Sequence, residues 1–178
     1  MSNKKIEDWV LVAVSLFPAA VFLLTPAQAV SPAEHQLAAF VDEYLFGQGY
    51  YKPEAYPFAA KLTNSFSFIL AVAAAIIFSL SQYHKKIQFD SANHIIGMFI
   101  FLALMAFTVW LTVVHQDFSM TKGVSFGTKA SFHNNPVLFL FMMVCKTSVI
   151  YFAIRYTLAV LTTFLLEWKE YRERKGKQ

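Results

Sequence analysis

The chain has 178 residues, of which 57% are hydrophobic, 17% aromatic and only 15% charged, with a formal net charge of +4; an ordinary soluble domain is roughly 45–50% apolar and about 25% charged. That surplus excludes a disordered chain, and 19 Phe against 6 Gly and 6 Pro leave little turn chemistry between long apolar elements. The lone cysteine, Cys145, offers neither an internal disulfide framework nor a cysteine-rich metal site. The basic residues sit beside apolar runs instead of forming an aromatic-interleaved patch, so a membrane protein with no nucleic-acid partner is expected.

A membrane-crossing helix needs about 20 mostly apolar residues, and four stretches supply them, at about 9–30, 62–83, 95–114 and 136–166. All four are apolar on every side, which favours helices over the alternating strands of a barrel. The expected fold is all-α: a single integral membrane domain over 1–178, built as a four-transmembrane-helix bundle. Its first span follows Lys4 and Lys5 and is trailed by Ala27-Gln28-Ala29, which imitates a secretory signal and its cleavage site. Glu7 and Asp8 spoil the basic leader, and the run from Trp9 to Leu24 is long for a signal core, so an uncleaved first helix with a local kink at Pro18 is expected.

After this span, Ser31-Pro32-Ala33-Glu34 combines an N-cap serine, a proline at the first helical position and a glutamate three residues beyond the cap. A short amphipathic helix at about 32–46 follows, with Leu37, Phe40, Val41, Tyr44 and Leu45 recurring at helical spacing and Gly47 and Gly49 ending it. It serves either as a docking surface for another protein or as a helix lying on the bilayer or on its own bundle. Tyr50, Tyr51, Tyr56 and Phe58 then interleave with Pro53 and Pro57, as an interfacial aromatic approach to the second span.

Lys and Arg near the span ends set the orientation. Lys4, Lys5, Lys85, Lys86, Lys169, Arg172, Arg174, Lys175 and Lys177 fall on one side, against Lys52, Lys61, Lys122 and Lys129 on the other. Both termini are therefore expected in the cytoplasm, with the short amphipathic helix on the outer surface.

The fourth span contains Lys146 and Arg155, each costing about 2.5–3.5 kcal/mol at a bilayer centre unless it finds company. No Asp or Glu lies well inside a proposed span, so compensation is expected from hydroxyls, carbonyls, lipid phosphate or another chain. Nine residues at about 100° each put the two cations on nearly opposite faces, so two local solutions are needed. Lys146 reaches the headgroups by snorkelling if the outer end of the helix protrudes, whereas Arg155, with Tyr151 and Tyr156 nearby, faces the interior or a neighbouring subunit. Asn64, Ser65, Ser67, Thr108, Thr112, Thr147 and Ser148 either cross-link helices or bond within their own.

Catalysis and cofactors find no foothold. His94 and His115 bracket the third span and cannot flank one porphyrin, His115 and His133 lack fixed metal-ligand spacing, and no phosphate loop, nucleophile elbow or intramembrane carboxylate pair occurs. No cofactor, metal or enzymatic activity is expected, and proton-driven transport lacks its acidic relay. Binding to lipids and to a membrane-inserted protein is the remaining mechanism, with Lys146, Arg155, Tyr151, Phe40 and Tyr44 as the residues expected to meet the partner.

Thr25-Pro26 closing the first helix, a long outer segment, Lys85-Lys86 after the second span and Asp117-Phe118-Ser119-Met120-Thr121-Lys122-Gly123 after the third give a layout that resembles the four-helix immunity proteins against pore-forming colicins of the colicin A type. The resemblance spans most of the chain as architecture. It implies residence in a bacterial inner membrane and engagement of the toxin's membrane-inserted helices, so that the pore does not open. The alternative expectation is an accessory subunit of a larger membrane complex, whose neighbours supply carboxylates to Lys146 and Arg155.

Overall fold

A computed structural model describes residues 3–45, 53–81, 92–113 and 134–175. The described residues are helical with no strand, in five helices: α1 (Asn3–Leu24), α2 (Pro32–Tyr44), α3 (Pro57–Ser81), α4 (Ala92–Val113) and α5 (Pro136–Lys175). Three of them contain stretches long and apolar enough to cross a membrane, Ile6–Leu24, Pro57–Ser81 and Pro136–Lys175. In α4 the apolar stretch is shorter, Ile96–Phe107.

Local chemistry sets the helix ends. Pro26 has no N–H to give and disfavours helical geometry at Thr25, so α1 stops at Leu24, short of the expected Val30, with the Thr25 hydroxyl donating to Val21 O at 2.7 Å. Its start moves the other way, to Asn3, which brings Glu7 and Asp8 into the helix. Pro18 lies fully buried inside α1, which continues through it. Around α2 the capping box forms as expected: Glu34 N donates to Ser31 Oγ at 3.2 Å, and Ser31 N and Val30 N donate to Glu34 Oε2 at 2.8 and 2.7 Å. At the far end of α2, Leu45 is the C-cap and its N–H donates to Val41 O at 3.1 Å; Gly47 and Gly49 lie outside the described residues.

Pro57 starts α3 five residues before the expected Leu62, a position where the missing proline N–H costs nothing. Asn135 caps α5, its Oδ1 accepting from Val137 N at 3.0 Å and Leu138 N at 3.3 Å, with Pro136 in the first helical position. The helix then runs on past Leu166 to Lys175, because Glu, Lys and Arg propagate a helix in water as readily as leucine does in lipid.

The core is a three-helix arrangement. Phe22 and Phe139 have ring centroids 5.5 Å apart, Ser15 Oγ lies 3.0 Å from Ser148 Oγ, and Glu7 pairs with Arg155, so α1 runs antiparallel to α5. Contacts of Tyr56 with Phe139, Asn64 with Lys146 and Phe78 with Arg155 run in step, so α3 is parallel to α5. Between these helices Ala59, Ala60, Ala71 and Ala75 are buried, small side chains that let helix backbones approach where no hydrophobic effect would drive association in lipid. Among the described residues α4 packs on α5 alone, so it extends the three-helix core as a flanking helix instead of closing a four-cornered bundle.

Candidate functional site

Lys146 and Arg155 enter the same core at different depths. Lys146 lies ten residues into α5, about 15 Å below its start by helical rise, and its ammonium donates to Asn64 Oδ1 on α3 at 2.6 Å. This turns the side chain towards the interface between α3 and α5. Asn64 is itself buried and neutral, and no carboxylate pairs with Lys146 among the described residues. The cation is therefore hydrogen-bonded but not charge-balanced.

Arg155 corrects the expectation that no acidic partner exists in this chain. Its guanidinium pairs with the Glu7 carboxylate and lies over the Phe78 ring, 4.6 Å from guanidinium carbon to centroid. The pair forms because α1 begins early enough to place Glu7 on a helix running alongside α5. A delocalised guanidinium suits this combination of fork and ring face better than an ammonium would. The expectation that each cation needs its own local solution agrees with this geometry, Asn64 serving one and Glu7 with Phe78 the other.

The candidate hydroxyls divide. Thr147 donates to Met143 O at 2.7 Å within its own helix; Ser148 does the same to Val144 O at 2.8 Å while also meeting Ser15 across the interface. Thr63, Ser65 and Ser67 on α3, like Tyr151 on α5, bury their hydroxyls without a hydrogen bond among the described residues. Tyr151, at 0% exposure, packs with Val14, Ala71, Ala75 and Ile150. That position serves helix packing and does not offer the ring to another chain.

Phe40 and Tyr44 occupy a different place. On α2, Val41 is buried against Phe58 and Leu62, with Ala38 and Leu45 beside it, while Lys61 on α3 grips Asp42 at 2.6 Å. The opposite edge keeps Phe40 48% and Tyr44 62% exposed, their rings tilted against each other with centroids 5.1 Å apart. The Tyr44 phenol is pushed up from its ordinary value by its hydrogen bond to Glu43 and then by burial. The Glu34 carboxyl is held below the usual range by the Ser31 and Val30 N–H groups. Phe40 and Tyr44 thus form a small aromatic edge well away from Lys146 in sequence and on a separate helix.

One further surface was not legible in the sequence. Met105, Ala106, Val109 and Trp110 of α4 and Ala153, Ile154, Thr157 and Leu158 of α5 line an apolar groove of about 380 Å³. Among the described residues no group of three or more His, Cys, Asp or Glu is arranged to hold a metal ion. His84, His115 and His133 lie outside those residues, as do Lys85-Lys86 and Asp117–Gly123 on which part of the family resemblance rests. In comparisons with protein-family models, curated proteins and solved structures, nothing matches the chain.

Proposed function

We propose that the chain is a non-enzymatic recognition protein of a bacterial inner membrane, crossing it four times with both termini in the cytoplasm, and that it binds a helical protein partner inserted in the same bilayer. The observation that carries this reading is Lys146, a cation inside an apolar helix whose acceptor, Asn64, is neutral. Ionisable groups set among the apolar helices of a membrane protein mark functional contacts by default, and a carboxylate brought by a partner would balance this one. The alternating helix directions support four crossings: α1 runs against α5, as does α4, with Phe101 against Tyr156 and Val109 against the cluster of Ile150 and Tyr151, α3 runs with it, and the nine cations counted on the cytoplasmic side of the sequence then share one side. An immunity protein that blocks a pore-forming toxin is the form of this function that the family resemblance implies.

A stable subunit of a larger complex is the second reading, and the unbalanced Lys146 favours it too. Its other support has weakened, since Arg155 is satisfied by Glu7 within the chain. Protection assays separate the two. On the immunity reading, expression shields sensitive cells against one cognate pore-former and Lys146→Met abolishes the protection at unchanged membrane level. On the subunit reading there is no protection, and the chain leaves its own membrane in a stoichiometric assembly that Lys146→Met dissolves. A chain that neither protects nor assembles defeats both.

A further inference from the structure

The last turns of α5 separate their chemistry by face. Leu161, Leu165, Trp168, Arg172 and Lys175 follow one another at steps of four, three, four and three residues, the spacing that keeps side chains on one side of a helix, and all five are exposed. Lys169 and Glu173 stand on another side and face each other at 4.0 Å. Among the described residues neither Arg172 nor Lys175 has an ion-pair partner. A single strip therefore passes from aliphatic through aromatic to basic in the direction in which α5 leaves its apolar stretch.

We propose that this strip is a docking surface for anionic phospholipid, with Leu161 and Leu165 against acyl chains, Trp168 at the hydrocarbon boundary and Arg172 and Lys175 on the phosphates. Arg172 lies about 6 Å beyond Trp168 along the axis, within a headgroup layer about 5–7 Å thick on each side of the bilayer, and Lys175, about 10 Å beyond, reaches back to it along its flexible stem. Indole belongs at that boundary, and basic residues just past a span attract anionic headgroups. A second copy of the chain is a poorer occupant, because two parallel copies joined on this strip would set Arg172 against Arg172 and Lys175 against Lys175. The inference rests on α5 crossing the membrane and is independent of any protein partner.

The test uses the full chain with Trp9 and Trp110 replaced by Phe, so that Trp168 is the only indole, in vesicles of equal phosphatidylglycerol and phosphatidylcholine. Bromine is carried on the acyl chains of one lipid or the other. Stronger quenching of Trp168 by brominated phosphatidylglycerol is expected, with a local enrichment of up to about fivefold for each basic side chain. Arg172→Gln with Lys175→Gln should abolish the preference, whereas Lys169→Gln with Arg174→Gln, which changes the same formal charge on other faces, should keep it. Equal quenching by the two lipids in the parent, or equal loss in both double variants, overturns the proposal. So does a Trp168 signal that depends on protein dilution, which would mark a second copy on the strip.

Discussion

Lys146 and Arg155 solve the problem of a cation within an apolar helix by different means, and single substitutions should separate the two. Changing Glu7 to Gln strands Arg155 over a ring with no counter-charge, an expected loss of about 1–3 kcal/mol, between the exposed and buried limits because both side chains keep some solvent contact. The double variant Glu7→Gln with Arg155→Met should recover most of that loss, since removing both partners leaves no orphaned charge. Unfolding of the solubilised chain measures this cycle, and additive losses would show that the pair does not couple. Asn64→Leu leaves the Lys146 ammonium without its acceptor, at an expected cost of about 1.5–3 kcal/mol. Lys146→Met combined with Asn64→Leu removes both partners and should instead keep or raise stability while losing the partner protein, the signature of a residue held for binding and not for folding.

At the scale of the helix, α2 shows how a short element is held at its end and on one face. Ser31→Ala should cost about 1 kcal/mol of its stability by removing the cap acceptor. Glu34 adds a pH dependence whose sign follows from its depressed folded pKa: the stabilisation is present above the unfolded carboxyl's pKa and is lost as pH falls through the folded value. The protection of the Val30 and Ser31 amides against exchange, taken relative to the free amide at each pH, should therefore fall on acidification, and Glu34→Gln should flatten that response. In α3, Ala71→Leu should open the contact with its neighbours and cost about 1–3 kcal/mol through overpacking, read out by the same unfolding measurement. The start of α2 and of α5 was legible in the sequence because a cap is a local event: Ser31, Pro32 and Glu34, or Asn135 and Pro136, carry all the atoms involved. The end of α5 was not, because hydropathy stops reporting at Leu166 while helix propensity continues through Lys175. The Glu7 to Arg155 pair escaped for another reason. It depends on two helices distant in sequence lying alongside each other, and on α1 starting before its apolar run begins.

For the molecule as a whole, the sequence marked the apolar spans by length and composition but left open which helices touch. Small residues at 59, 60, 71 and 75 favour close approach in α3, yet nothing local shows that α4 joins through α5 alone. The central claim is that a partner's acidic side chain docks beside Lys146, and the neighbouring Cys145, exposed and the only cysteine, provides the place to test it. A benzoylphenylalanine placed at position 145 and irradiated in native membranes, with and without the Lys146→Met substitution, reports directly on what lies there. The account predicts one discrete protein adduct that disappears when Lys146 is replaced. Adducts to lipid alone, or a protein adduct indifferent to residue 146, would contradict it.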